Sequence, residues 1–143
     1  MKYSQIKTLK NFCESLFSTP DYREVIANAG ADDFYVDGVQ FIRSDAIDQI
    51  QCDELESDEY MLGCFNAWFI ADVLDIDQDV IEAMQKVEAF EAIGKLIISM
   101  DKLGALQQAY VSADGYGHHF NCYDGEEETI SIDGNEYYVF DNH

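Results

Sequence analysis

Tyr3, Ile6, Leu9, Phe12, Cys13, Leu16 and Phe17 recur at steps of three and four, with Lys7 and Lys10 between them. That spacing predicts an amphipathic first helix with one face for a core. In STPDYREVIANAG, Thr19 is placed to cap a second, short helix, Pro20 suits its first turn and Gly30 stops it. The period then changes. FYVDGVQFI sets Asp37 and Gly38 between two short β-favouring runs, the signature of a two-residue hairpin turn. A helical step returns after Ser44, a predicted cap for a helix carrying Ile47, Ile50 and Leu55. Ser57 is the predicted cap of a fourth helix, in which Met61, Leu62, Phe65, Trp68, Phe69 and Val73 form a broad apolar face. This reads as the central core helix, with Trp68, Phe65 and Phe69 in core roles.

Asp77 is placed to cap a long fifth helix through Val80, Met84, Val87, Phe90, Ile93 or Gly94, and Ile97, and a sixth runs from Asp101 to Ser112 until ADGYG breaks the pattern. HHFNCYD, EETISID and NEYYVF then read as a three-stranded meander, separated by Gly125 and by Gly134-Asn135. The expected class is α+β: about six helices around a central apolar helix, with a small antiparallel sheet that the earlier hairpin is a candidate to join. Residues 1–143 show no linker, low-complexity tract or repeat, and read as a single domain. The most apolar stretch, Met61 to Leu74, is interrupted by Asn66 and Asp72 and falls short of the ~20 residues a membrane span needs. The opening residues lack the apolar segment of an export signal. Cys13, Cys52, Cys64 and Cys122 form no CxxC pair and read as reduced, mostly buried thiols. The expected setting is cytoplasmic.

Charge changes the picture most. Of 143 residues, 29 are acidic and 8 basic, a net charge of −21, yet 48% are hydrophobic, so this is a folded acidic protein and not an acidic tail. Residues 1–43 hold 6 acids and 5 bases, Ser44 to Gln85 hold 12 acids and no base, residues 86–102 balance at 3 and 3, and Leu103 to His143 hold 8 acids and no base. Solubility needs a net charge of only about 2 to 8, and ordinary surfaces mix the two signs. Two base-free blocks therefore ask for a reason beyond a generally acidic coat. Direct binding of nucleic acid is excluded, because such a surface repels phosphate.

Candidate chemistry is sparse. His118 and His119, as strand neighbours, would point to opposite faces and could not share an ion; His118 with Cys122, or a returning His143, lacks zinc-ligand spacing. DIDQD, from Asp75 to Asp79, begins like a calcium loop, but Val80 and Lys86 stand where Gly and Glu are required. Gly115 and Gly117 lack the lysine and following helix of a phosphate cradle. No GxSxG, HExxH or Ser/His/Asp constellation occurs. No catalytic, cofactor-binding or metal site is expected, and the expected class is a binding protein, not an enzyme.

Carboxylates three or four apart on a helix lie about 5 to 6 Å from one another. They can stand in for duplex phosphates, which recur every ~3.4 Å of rise on each strand. Asp72, Asp75, Asp79 and Glu82 follow such steps, with a turn near Asp77 as a point of interruption; Asp45 and Asp48, then Glu54 and Asp58, form pairs. Asp53, Glu56 and Glu59 lie nearby, and Glu126, Glu127 and Glu128 are placed at a hairpin tip. The expected partner is a basic nucleic-acid-binding protein whose groove this surface fills. In charge and size the chain resembles the DNA-mimic proteins of phages and mobile elements, which block restriction, CRISPR or DNA-repair enzymes. GYGHHFNCYDGEEETISIDGNEYYVF is similar to the ends of small phage and prophage proteins. What the resemblance implies is a mobile-element setting for an accessory inhibitor; it carries over no functional residue. The alternative is an immunity, antitoxin or host-takeover protein that meets a specific basic partner through shape, with Tyr116, Tyr123, Tyr137 and Tyr138 as anchors. A small enzyme or metal protein centred on His118, His119 and Cys122 is a third option. The oligomeric state is open, a homodimer included.

Overall fold

The computed structural model describes residues 1–142. In chain order the elements are α1 (Tyr3–Ser15), α2 (Tyr22–Asn28), β1 (Asp33–Val36), β2 (Val39–Arg43), α3 (Ile47–Glu56), α4 (Glu59–Gly63), α5 (Ala67–Leu74), α6 (Gln78–Lys86), α7 (Phe90–Ser99), α8 (Leu103–Asp114), α9 (Gly117–Phe120), β3 (Glu128–Ile132) and β4 (Asn135–Asp141). The class is α+β. Among the described residues no helix is long and apolar enough to cross a membrane. The chain gathers into two compact units, Gln49–Ala113 forming one, and Met1–Asp48 with the chain from Asp114 onward the other.

In the unit holding both termini, four antiparallel strands are ordered β1-β2-β4-β3. Both hairpins turn on Asp-Gly. Asp37 and Gly38 have φ of 51° and 84°, Asp133 and Gly134 of 51° and 86°. A two-residue turn with positive φ at both positions matches strand twist, and Asp and Gly tolerate it best. The second turn thus falls one residue earlier than the expected Gly134-Asn135, with Ile132 opposite Asn135. One sheet face buries Phe34, Val36, Val39, Phe41, Ile132, Tyr137 and Val139 against Leu9, Cys13, Leu16 and Val25 of the α1–α2 segment. On β2, Gln40 and Ile42 are buried as well, as a strand covered on both faces requires. Phe120 packs on Phe140 with ring centroids 5.3 Å apart.

Several predicted boundaries move. Thr19 sits at φ 41° and cannot cap; Asp21 caps α2 instead, accepting from the Arg23 amide at 2.9 Å. Ser44 is not a cap either, because α3 begins only at Ile47; its amide donates to the Glu136 carbonyl. Ser57 gives way to Asp58, which accepts from the Met61 amide. The segment HHF is helical, so the C-terminal meander has two strands and the early hairpin supplies the rest of the sheet.

The helical unit, Gln49–Ala113, departs further. The expected central helix is two helices, α4 and α5, broken at Cys64 to Asn66; Gln85 Nε2 donates to the Gly63 and Phe65 carbonyls, occupying acceptors the break releases. The expected fifth helix is also two, α6 and α7. Asp77 does cap α6, accepting from the Asp79 amide. Three helix ends in this unit share one device. Asp75, Glu88 and Asp101 take φ of 56°, 60° and 56°, and the next amide reaches back five residues, Ile76 to Ala71, Ala89 to Met84 and Lys102 to Ile97. This is the left-handed helix stop that glycine usually supplies, here made by acidic residues.

Around these stops a core of Leu55, Leu62, Ile70, Ala71, Leu74, Ile81, Ile93, Ile97, Leu106 and Tyr110 closes. Its tightest point is the antiparallel contact of α4 with α7. A Cβ on Gly63 would lie 2.0 Å from the Phe90 carbonyl oxygen, and one on Gly94 would lie 2.0 Å from that of Glu59. The two backbones touch through paired glycines, so any side chain would force the helices apart. Gly94→Ala is expected to cost ~2 kcal/mol or more. Glu88→Gly, which relieves a left-handed side chain at a helix stop, is expected to gain up to ~1 kcal/mol. Urea unfolding of the two variants checks both signs; equal midpoints would contradict the account of this packing.

Candidate partner-binding surface

Burying a carboxylate without a partner costs several kcal/mol. Accordingly the buried polar residues are all neutral amides: Gln40, Gln51, Gln107 and Asn121. The acids stay at the water. The unit with both termini holds 16 acids and 5 bases, net −11, and the helical unit 13 acids and 3 bases, net −10. Each unit therefore carries its own surplus.

Of the fourteen carboxylates predicted to meet a partner, Asp45, Asp48, Asp53, Glu54, Glu56, Asp58, Asp72, Asp75, Asp79, Glu82, Glu126 and Glu128 are exposed, and Glu59 and Glu127 are half-buried. Their arrangement differs from the simple rows. Asp45 precedes α3 and pairs with Arg43 at 2.5 Å, while Asp48 lies in the first turn of α3 and accepts from the Tyr116 hydroxyl at 2.6 Å. Glu54 is on α3 and Asp58 caps α4, so neither predicted pair shares one helix. Asp53 and Glu56 do share α3, and Asp79 and Glu82 share α6. The row from Asp72 to Glu82 is divided at the left-handed Asp75, near the interruption expected at Asp77.

Glu126, Glu127 and Glu128 do not sit at a hairpin tip: Glu128 opens β3, the first two precede it, and the tip is Asp133-Gly134. Asn121 organises this approach. Its Nδ2 donates to Asp124 and to the Glu126 carbonyl, and its Oδ1 accepts from the Tyr123 and Asp124 amides. Glu127 accepts from the Tyr116 amide at 3.1 Å. Burial, with the Asp48 contact second, pushes the Tyr116 phenol well above its ordinary range, so it stays a donor.

The tyrosines separate into classes. Tyr137 is a core residue, its hydroxyl accepting from the Gly30 amide at 2.9 Å; Tyr116 and Tyr138 are half-buried against each other at 4.8 Å; Tyr123 alone of the four is exposed, at 65%. Cysteine burial is less general than expected: Cys13 is buried and Cys52 half-buried, but Cys64 and Cys122 are exposed, and none of the four is in a disulfide. Burial, then Asp21 and Glu14, raises the Cys13 thiol to about 11, leaving it protonated.

His118 and His119 are neighbours on the short α9 and not on a strand, and His143 lies outside the described residues. Among the described residues no three His, Cys, Asp or Glu converge as a metal site would require. Comparison with protein-family models, with curated proteins and with solved structures found no match to this chain. Function must be read from the residues themselves.

Periodicity misassigned several residues: Tyr3, Phe17, Val80 and Val87, which fall on the apolar steps of predicted helices, are exposed. Trp68, also expected in the core, is 58% exposed. With the helix restarting at Ala67, the buried face of α5 is Ile70, Ala71 and Leu74, which turns Trp68 and Asp72 outward. Asn66, a good cap residue in the middle of the apolar run, was the available signal for that restart.

Burial, and secondarily His118, lowers the pKa of His119 below its ordinary 6.5. The unfolded chain then binds this proton more readily, so stability present above 6.5 is lost as pH falls through the depressed folded value. The urea midpoint should drop between about pH 7.5 and about pH 5.5, and drop less in His119→Gln. An identical loss in the variant would place the acid sensitivity elsewhere.

Proposed function

We propose that the protein is an acidic inhibitor that imitates nucleic-acid charge and occupies the basic groove of a DNA- or RNA-binding enzyme of the restriction, CRISPR or repair type, in a phage or mobile-element setting. The observation that carries this reading is the helical unit. Its segments α3 to α5 hold no base, α6 holds one only at its last residue, Lys86, and their acids face water around a closed apolar core, except for the half-buried Glu59, which lies 3.9 Å from Lys95. Self-repulsion of this kind costs stability, so a partner that neutralises it gains affinity in proportion. A basic groove is such a partner, and displaced counterions supply the driving force.

A second reading, an immunity- or antitoxin-like protein that meets its partner through aromatic anchors, is favoured by the exposed Tyr123. Tyr137, being core, cannot contribute to it. Tyr123→Ala distinguishes the two: it weakens binding substantially only if anchors dominate.

Asp75 ends α5 and Asp77 caps α6, so both should be left intact in a charge-reversal experiment. With Asp72→Lys, Asp79→Lys and Glu82→Lys combined, affinity for a basic nuclease captured from host lysate should fall at least about tenfold, with the far-UV spectrum unchanged. The unaltered protein should bind more weakly as salt rises from about 50 to 200 mM. Salt-independent affinity, or a reversed-charge variant that inhibits normally, would overturn the mimicry.

A further inference from the structure

The exposed Trp68 and the charge around it point to something more specific than an acidic surface. We infer that Trp68 and Asp72 together form an arginine-accepting anchor on the outer face of α5. This rests on the charge-mimic reading and names the side chain of the basic partner that the helical unit would grip.

Three observations support it. First, Trp68 and Asp72 are four residues apart on one helix, both exposed, while Ile70, Ala71 and Leu74 fill the buried face. At that spacing their Cβ atoms lie about 6 Å apart. A guanidinium is drawn to an indole face within about 6 Å of the ring centroid, and the same group presents a fork of N–H donors to a carboxylate. One arginine can therefore satisfy both residues. Lysine, a point charge with strongly held water, engages the carboxylate but gains less from the ring.

Second, the indole is held in place. Trp68 stands edge-on to Phe69 at 6.0 Å and 89°, Phe69 lies 5.4 Å from Phe65, and Phe65 lies 5.0 Å from Tyr110, which belongs to the core of this unit. A chain of four aromatic rings ties the exposed indole to buried structure, so little ordering entropy remains to be lost on binding. Third, the occupant follows from charge. α5 has no base, α3 and α4 before it have none, and α6 after it sets one base, Lys86, against Asp79 and Glu82, so a cationic segment is the complement.

Trp68 is the chain's only tryptophan, so its emission reports on this site alone. The full-length protein is titrated with fluorescein-labelled nine-arginine and nine-lysine peptides for anisotropy, and with their unlabelled forms for tryptophan emission, at low and moderate salt. Nine-arginine should quench or shift the emission over the range in which anisotropy shows binding, and nine-lysine should perturb it less. Trp68→Leu should weaken nine-arginine by about fivefold or more, and nine-lysine by less than about twofold. Asp72→Asn, which keeps the indole, should diminish the emission change. Nine-arginine that binds with unchanged emission, and binds Trp68→Leu as tightly, would overturn the anchor while leaving the charge reading in place. Failure of both peptides to bind at low salt would remove the charge reading and the anchor with it. If Trp68→Leu does not fold, the Asp72→Asn emission change decides.

Discussion

A carboxylate leaves water only with a partner, and a chain with 29 acids and 8 bases has too few cations to provide partners. Much of this structure follows from that shortage. Three ion pairs occur among the described residues, two of them on Arg43. Interior polar contacts are therefore made by amides, which carry donors and acceptors without charge. Gln85 bridges the broken α4–α5 segment, Gln107 donates to Gln51 inside the helical unit, and Asn121 shapes the turn before β3. The acids are left facing water, which is what makes them available to another molecule.

Availability is not uniform, because many of these acids also hold the backbone. Asp21, Asp58 and Asp77 cap helices. Asp37 and Asp133 turn hairpins, and Asp75, Glu88 and Asp101 stop helices in the left-handed conformation. Short aspartates suit these tasks, since they bond nearby amides and tolerate positive φ. Part of the acid surplus thus reflects local geometry. Glu56, Asp72, Asp79, Glu82, Glu126 and Glu128 have no such backbone duty, and a partner-facing role is best sought among them and in the exposed Trp68.

Those local roles explain where reading by periodicity worked and where it did not. Amphipathic α1 and the Asp37-Gly38 hairpin were legible because period and turn chemistry agree there. The divisions of α4 from α5 and of α6 from α7 were not, since the apolar step continues across both: Gly63 and Asn66 at the first division lie inside that step, and the second turns on Glu88 where glycine is usual. The same blindness misplaced Trp68. A helix that stops and restarts rotates its buried face, and only the register after the restart says which side an aromatic takes. HHF was read as a strand although its residues form a single helical turn under Phe140, a preference set by packing and not by propensity.

Sequence alone determined the class of fold, the first hairpin, the Asp77 cap and the imbalance of charge, because each depends on residues adjacent in the chain or on simple counting. Tertiary structure decided which carboxylates are committed to caps, turns and hydrogen bonds, which tyrosines are core, and that Trp68 faces outward beside Asp72. These depend on contacts between distant segments, such as the backbone approach of Gly63 and Gly94 to their opposite helices. No local pattern encodes a contact whose partner lies thirty residues away, because its energy exists only once both helices are in place.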